Sequence, residues 1–433
     1  MEPLTAAILC IAIMLIMLNL GLPIAYSVGF SSAIVGLLTY GTAALEKLGW
    51  TTFQTVFNPA WTPLPLFAFM GCLVAKTRMG EDLFRTARLW FSRLPGALVV
   101  STIFAQAGIA ATLGASAAAI LAIGPVAIPE LTRYSYDRKM SLGAITCGGV
   151  LGPLIPPSAT AVIIAGLANL SLGPLLVAGV VPGILLASLL SLVPVLKCAR
   201  NPSLGPSPGA VSWKERLHAA RRIWPIIFTF LAIFGSIFFG VTTVTEAGGV
   251  GALIVLLISC LLYKVGPRQI YEALIETAKI NAQLLFIIVG ASFFSYIVGS
   301  SVLARQLAEF VAQAGLHPIL VVLFIQLILL ILGCFIDGMT IMMITVPIFV
   351  PLVTSMGLNP IWFAILFEVN MEISLITPPM GINFFLVRSV FSIPSGELLR
   401  GVIPYLAVLV LFLFLLIAFP QITLWLPGLM TGG

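Results

Sequence analysis

Leu154-Ile155-Pro156-Pro157-Ser158 and Leu375-Ile376-Thr377-Pro378-Pro379-Met380-Gly381 decide how this chain folds. Each stands inside a long apolar run, 141–168 and 361–387. Proline lacks a backbone N–H and clashes with the preceding turn, so paired prolines unwind a helix. Within a bilayer, unwound backbone is tolerated only against protein or a water-filled cavity. The same break occurs twice, each time after a pair of apolar arms. That predicts two related halves rather than two unrelated kinks.

The runs around the breaks set the class. Of the 433 residues, 60% are apolar and 8% charged, too little charge for a soluble domain of this length. Apolar runs recur at 4–20, 22–40, 63–75, 174–196, 223–241, 246–263, 281–299 and 403–419, and a helical span needs about 17–25 residues. Two further pairs of arms are joined by short turns. Arms 95–113 and 115–129 meet at Leu113-Gly114-Ala115-Ser116, and arms 318–335 and 339–356 meet at Ile336-Asp337-Gly338. So short a turn predicts re-entrant hairpins over 95–130 and 318–356. The expected fold is an all-α polytopic membrane protein, an inverted repeat with two re-entrant hairpins and two broken transmembrane helices. The first repeat covers 1–222 and the second 223–433, with a polar surface helix at 264–280. Met1-Glu2-Pro3-Leu4 has no basic segment, so the first run is read as a true span and not as a cleaved signal.

Charge gives the orientation. The net charge is +6, but the basic residues sit in short loops between apolar runs, which points to a bilayer and away from nucleic acid. With the hairpins re-entrant, all of the 21 Lys and Arg residues except Lys47 and Arg305 fall on one face. Lys and Arg mark cytoplasmic loops, so that face is cytoplasmic and both termini lie outside. The six cysteines lie in or beside apolar runs without a CxxC pair and read as packing residues. His218 and His317 lack a second ligand at metal-binding spacing.

Two breaks and two hairpin tips create four helix ends within the membrane. Carbonyls freed at helix C-termini offer oxygen to a small cation, and N-termini present N–H groups and partial positive charge to an anion. Ser116, Ser158, Thr160, Thr340 and Thr377 add hydroxyls. Carboxylates inside a membrane are costly and read as functional. Asp337 sits at the second tip, where it either handles an ion or substrate or caps the next helix. Glu368 and Glu372 share one helix face with Asn370 between them. Glu372 is either a site residue or an interior carboxylate bonded to backbone, and Glu368 is placed nearer the periplasmic surface.

The stretch from Pro65 to Gly183 resembles the large membrane subunit of tripartite ATP-independent periplasmic (TRAP) transporters. The carrying residues are Gly114-Ala115-Ser116-Ala117, Pro129-Glu130-Leu131, Leu151-Gly152-Pro153-Leu154-Ile155-Pro156-Pro157-Ser158 and Ala178-Gly179-Val180-Val181-Pro182-Gly183. The second half adds Phe335-Ile336-Asp337-Gly338, Asn370-Met371-Glu372-Ile373 and Ile376-Thr377-Pro378-Pro379-Met380-Gly381. The resemblance implies an elevator fold of the ion-transporter superfamily and sodium as coupling ion, with no other cofactor. It also implies a separate small four-helix membrane subunit, a periplasmic substrate-binding protein and residence in the bacterial inner membrane. One sodium site would involve Gly114, Ser116, Pro156 and Ser158, the other Asp337, Gly338, Thr377 and Pro379. A small carboxylate would meet Ser116, Pro157, Thr160, Thr340, Asn370 and Glu372. The first tip departs from the family, with Ala115 where a hydroxyl residue is common.

Three other readings stay open at this stage. A stand-alone dicarboxylate/sodium symporter shares the layout, but its tips typically carry Ser-Asn-Thr, which this chain lacks. A membrane-embedded enzyme needs converging His, Cys or carboxylates, and only Glu368 and Glu372 approach that. A channel usually shows charged rings or a selectivity loop. Asp337 is equally able to carry a proton in place of a sodium ion.

Overall fold

The computed structural model describes residues 3–430 apart from 207, 208, 210, 300–308, 310–312, 314, 337, 379 and 380. Among the described residues every regular element is helical. The first repeat holds α1 (Pro3–Asn19), α2 (Ile24–Tyr40), α3 (Ala43–Val56), α4 (Pro63–Ala75), α5 (Met79–Trp90), α6 (Ala97–Leu113), α7 (Ser116–Arg133), α8 (Arg138–Gly148), α9 (Leu151–Leu154), α10 (Ala159–Ala168), α11 (Leu172–Ala178) and α12 (Val180–Arg200). A short helix, α13 (Trp213–Ala220), leads to the second repeat. There follow α14 (Trp224–Phe238), α15 (Val244–Leu261), α16 (Pro267–Gly299), α17 (Pro318–Phe335), α18 (Gly338–Ser355), α19 (Pro360–Ile376), α20 (Ile382–Val390), α21 (Ser395–Ala418) and α22 (Gln421–Leu424). Six helices among the described residues are long and apolar enough to cross a bilayer, or up to nine spans if each bent pair counts as one.

Caps and prolines show the repeat. The Asp137 carboxylate accepts from the Met140 N–H at 2.7 Å and starts α8. Asn359, 222 residues later, accepts from the Ile361 N–H at 2.9 Å and starts α19. The same offset carries Ser116, the first residue of α7, onto Gly338, the first of α18. It carries Pro125 and Pro129 inside α7 onto Pro347 and Pro351 inside α18, and Pro156-Pro157 onto Pro378-Pro379. Proline inside a helix removes one ladder bond, a cost that a membrane protein tolerates where neighbours re-satisfy the freed group. Identical placement in both hairpins marks the two return arms as one design used twice. The fold is therefore the inverted repeat, with hairpins α6–α7 and α17–α18 and broken spans α8–α10 and α19–α20.

Two connections differ from the hydropathy reading. Residues 43–56, which lie outside the apolar runs, form α3, of which only Ala44 and Thr55 are buried. Asn58 caps the turn at Pro59, and the helix bends by 48° into the next span. In the second repeat the polar link and the span 281–299 form one continuous helix, α16, rather than a surface helix and a separate span. No glycine or proline stands between Pro267 and Gly290 to stop it. Thus α3–α4 and α16 are counterparts, one broken by Asn58-Pro59 and the other not. Most of the polar stretch 300–316 lies outside the described residues.

The repeats interlock through these counterparts. α4 packs on α15 and α16 packs on α2, so the third span of each repeat lies on the second span of the other. At the α16–α2 crossing, a Cβ on Gly290 would stand 3.2 Å from the backbone of both Ala25 and Gly29, which requires a bare backbone. α1, α2 and α16 close a small core of their own around Cys10, Met14, Phe293 and Phe294, and it reaches Ile344 and Ile348 of α18. α14 and α15 belong to the larger core that holds the hairpins and breaks.

Candidate functional site

The first tip forms because α6 ends on a left-handed residue and α7 begins two residues later. Gly114 caps α6 at φ +63°, a conformation that suits glycine. Ala115 is extended, and Ser116 opens α7. The tip is wedged into the first break. A Cβ on Gly114 would lie 2.4 Å from the Pro157 carbonyl oxygen. A Cβ on Gly152 would lie 2.7 Å from the Ala115 carbonyl carbon and 2.8 Å from the Ser116 nitrogen. The Pro156–Pro157 peptide is cis. Among the described residues, no hydrogen bond ends on the carbonyl oxygens of Ile155, Pro156 or Pro157. Unpaired carbonyls buried in protein are costly unless something polar meets them. Ile155 to Ser158 are all buried, so a run of oxygen acceptors lies beside Gly114.

The hydroxyls divide between roles. Ser158 caps α10, its Oγ accepting from the Ala161 N–H at 3.0 Å. Ser116 reaches across to the other repeat, donating from Oγ to Glu372 Oε1 at 3.4 Å. Thr160 is half-buried in the first turn of α10. Thr377 closes α19 by donating to the Ile373 carbonyl at 2.7 Å.

At the second tip Gly338 lies against Met371 and Leu375 of α19, the last turns before the second break. Asp337 and Pro379 lie outside the described residues. Thr340 is fully buried from bulk solvent but lines a cavity of ≈ 810 Å³ together with Ile336, the α1–α2 turn at Leu22 and Pro23, and Gln283 of α16. The first break also touches the second hairpin, since α10 packs on α18. Most of the predicted site residues that are described therefore fall into two groups: Gly114, Ser116, Pro156, Pro157, Ser158, Thr160 and Glu372 at the first tip and break, and Gly338, Thr340 and Thr377 at the second.

A family model described as "Tripartite ATP-independent periplasmic transporter, DctM component" matches residues 11–422. The chain belongs to the TRAP transporter large permease family. It is 32% identical over 404 residues to the C4-dicarboxylate TRAP transporter large permease protein of Pseudomonas aeruginosa, covering 93% of this chain and 94% of that one. It is 30% identical to the sialic acid TRAP transporter large permease protein of Vibrio cholerae, covering 95% and 96%. With the ectoine/5-hydroxyectoine large permease of Ruegeria pomeroyi it shares 29% identity over 96% and 97% of the two chains. In fold it is similar to the crystal structure of the Alcanivorax borkumensis YdaH transporter, with a TM-score of 0.64, 16% identity and coverage of 96% and 98%. These relatives are transporter permeases, so the permease is not an enzyme.

Several side chains that shape the permease's site carry no motif. Gln106 of α6 is fully buried and donates from Nε2 to the Ile145 carbonyl at 2.8 Å, tying the first hairpin to α8. Asn370 does not face the first tip. It donates from Nδ2 to the Gln326 carbonyl at 2.8 Å and to Gln326 Oε1 at 2.6 Å, tying α19 to α17. One amide thus fastens each hairpin to its own broken span. Their only sequence signal is an amide in an otherwise apolar arm, an expensive placement in a membrane. Glu368 is buried as deeply as Glu372 within the protein, at 1% and 3% exposure. One oxygen of each carboxylate has no hydrogen-bond partner among the described residues.

Proposed function

We propose that this permease imports a small carboxylate by sodium symport, receiving it from a periplasmic binding protein and working with a separate small membrane subunit in the bacterial inner membrane. What supports the reading best is the wedge of the first tip into the first break. There Gly114, Ser116, Pro156 and Ser158 stand among carbonyls that no donor among the described residues satisfies, the oxygen set a sodium ion takes. At the second tip and break, the resemblance to the family assigns Asp337, Gly338, Thr377 and Pro379 to the second ion. The three relatives compared above are named for C4-dicarboxylates, sialic acid and ectoine, solutes that all carry a carboxylate. Such an anion is held by the N-termini of α7 and α10, by Ser116, Thr160 and Thr340, and by the bound cations.

The moving part in this reading is the pair of hairpins with their breaks, sliding past α1–α2 and α14–α15. The cavity beside Thr340, between the second tip and the α1–α2 turn, lies on the sliding boundary. One elementary charge moved through 100 mV supplies about 2.3 kcal/mol, so coupling to more than one ion gives useful accumulation. A second reading, proton coupling, is favoured by the one buried oxygen each of Glu368 and Glu372 that has no partner among the described residues.

The test is uptake into proteoliposomes holding the permease, its small subunit and the loaded binding protein. An inward sodium gradient is expected to drive accumulation of a labelled carboxylate, and a proton gradient at equal sodium is not. Accumulation that follows only the proton gradient replaces the sodium reading with the second one. No accumulation of any carboxylate under either gradient contradicts both.

A further inference from the structure

On the face rich in Lys and Arg, a cavity of ≈ 470 Å³ opens between α5 and α13, and no residue of the hairpin tips or the breaks lines it. Arg85 and Arg88 line one wall; Lys214, Glu215, His218 and Arg222 line the other. The charges are not all spent within the protein. Arg88 pairs with Glu130 and donates to Tyr134, and Arg222 lies 3.8 Å from Asp82. Glu215 is turned back on its own helix, accepting from the Ser212 N–H at 3.2 Å. Among the described residues no carboxylate lies within ion-pair distance of Arg85 or Lys214. The cavity therefore keeps two uncompensated cations.

The walls are fixed to each other. Thr86 donates to the Ala219 carbonyl at 3.1 Å, Trp90 Nε1 to the Arg216 carbonyl at 3.3 Å, and the buried Arg216 to Ser92 Oγ at 3.2 Å. A groove braced by three such bonds holds its cations apart before any ligand arrives. Its size falls in the range of small-ligand sites, roughly 300–1,000 Å³. Trp90, Trp213, Leu217 and Trp224 flank the lining residues in sequence, and all four are exposed. The Trp90 and Trp213 rings meet edge to face at 6.4 Å. Tryptophan with one apolar and one wet side belongs at headgroup depth. Guanidinium and ammonium groups at that depth suit a phosphate oxyanion.

We propose that this cavity seats the phosphate headgroup of an anionic phospholipid from the leaflet on that face. Arg85 and Lys214 take the phosphate oxygens, and the exposed tryptophans lie along the glycerol and upper acyl region. Bound lipid then pins α13, and with it the connection between the repeats, to the bilayer surface.

The test uses the full-length permease, with retention of phosphatidylglycerol measured against phosphatidylcholine by native mass spectrometry. Arg85→Gln/Lys214→Gln is expected to weaken phosphatidylglycerol retention about 100-fold, the loss of two charge-assisted hydrogen bonds to the phosphate. Arg200→Gln/Lys279→Gln removes the same charge from exposed positions elsewhere on the face and is expected to cost far less. The charge-keeping exchange Arg85→Lys/Lys214→Arg retains binding, which separates loss of the site from loss of folding. Equal losses in the two glutamine pairs mean diffuse attraction and overturn the proposal. Displacement of phosphatidylglycerol by sodium pyrophosphate at equal concentration assigns the cavity to a soluble phosphate and also overturns it.

Discussion

Gly114→Ala probes the joint between hairpin and break. At φ +63° an alanine sits in the left-handed region at a cost of about 1–2 kcal/mol. Its Cβ would lie 2.4 Å from the Pro157 oxygen, so tip or break must retreat by about 1 Å to reach ordinary contact. Overpacking of this kind costs about 1–3 kcal/mol, and together the two effects come to about 2–5 kcal/mol. Gly357→Ala is the matched control. Its φ is +77°, but nothing stands within 4 Å of its Cβ, so only the conformational cost of about 1–2 kcal/mol applies. Denaturant unfolding in detergent, followed by tryptophan fluorescence in sodium-free buffer, compares the two. The expected order is Gly114→Ala well below Gly357→Ala, with the parent on top. Equal midpoints for the two variants refute the wedge, because the clash term would then be missing.

Three further outcomes follow from the same geometry. Ser116→Ala removes a hydrogen bond to Glu372 (3.4 Å) and strands a buried carboxylate oxygen, a stability cost of about 1–3 kcal/mol, while the sodium-dependent part of uptake is lost; unchanged sodium dependence removes Ser116 from the site. Asn370→Leu strands the Gln326 amide and costs about 1–3 kcal/mol in unfolding experiments; a neutral result means that the Asn370–Gln326 pair does not fasten α19 to α17. Lys76 donates to Glu276 at 2.7 Å, and that bond holds its ammonium above the ordinary lysine range. A raised folded pKa stabilises fully below the unfolded value of about 10.4 and loses that contribution as pH climbs through the folded value. Lys76→Gln is therefore expected to cost about 0.2–1 kcal/mol at neutral pH and to approach the parent in stability only above pH ~10.4; a gap that closes below pH 9 contradicts the pairing.

Much of the fold was legible because membrane proteins write it in coarse symbols. Apolar runs, Pro-Pro pairs and a two-residue turn at Gly114-Ala115 are one-dimensional signals of spans, breaks and tips. α3 escaped because Glu46, Lys47 and Gly49 dilute its hydropathy, and little of it is buried; only its symmetry with the start of α16 shows that it belongs to the repeat. The site was legible in its motifs and not in its contacts. Ser116 and Glu372 are 256 residues apart, and no local pattern says that a tip of one repeat touches the broken span of the other. Asn370 stands two residues before Glu372 in the sequence, yet the helix turns its amide toward Gln326. Gln106 and Gln326 each fasten a hairpin through a single amide, and a single residue makes no motif.

Sodium binding at the paired tips and breaks can be measured without knowing the substrate. The unfolding midpoint of the purified permease is compared in sodium and in potassium or choline at equal ionic strength. A ligand that binds only the folded state stabilises it by about 2.7 kcal/mol at 100 times its Kd. A saturable rise in sodium alone, absent from Ser116→Ala, is the expected result. Superimposable midpoints in all three cations would contradict preformed sodium sites at the helix breaks.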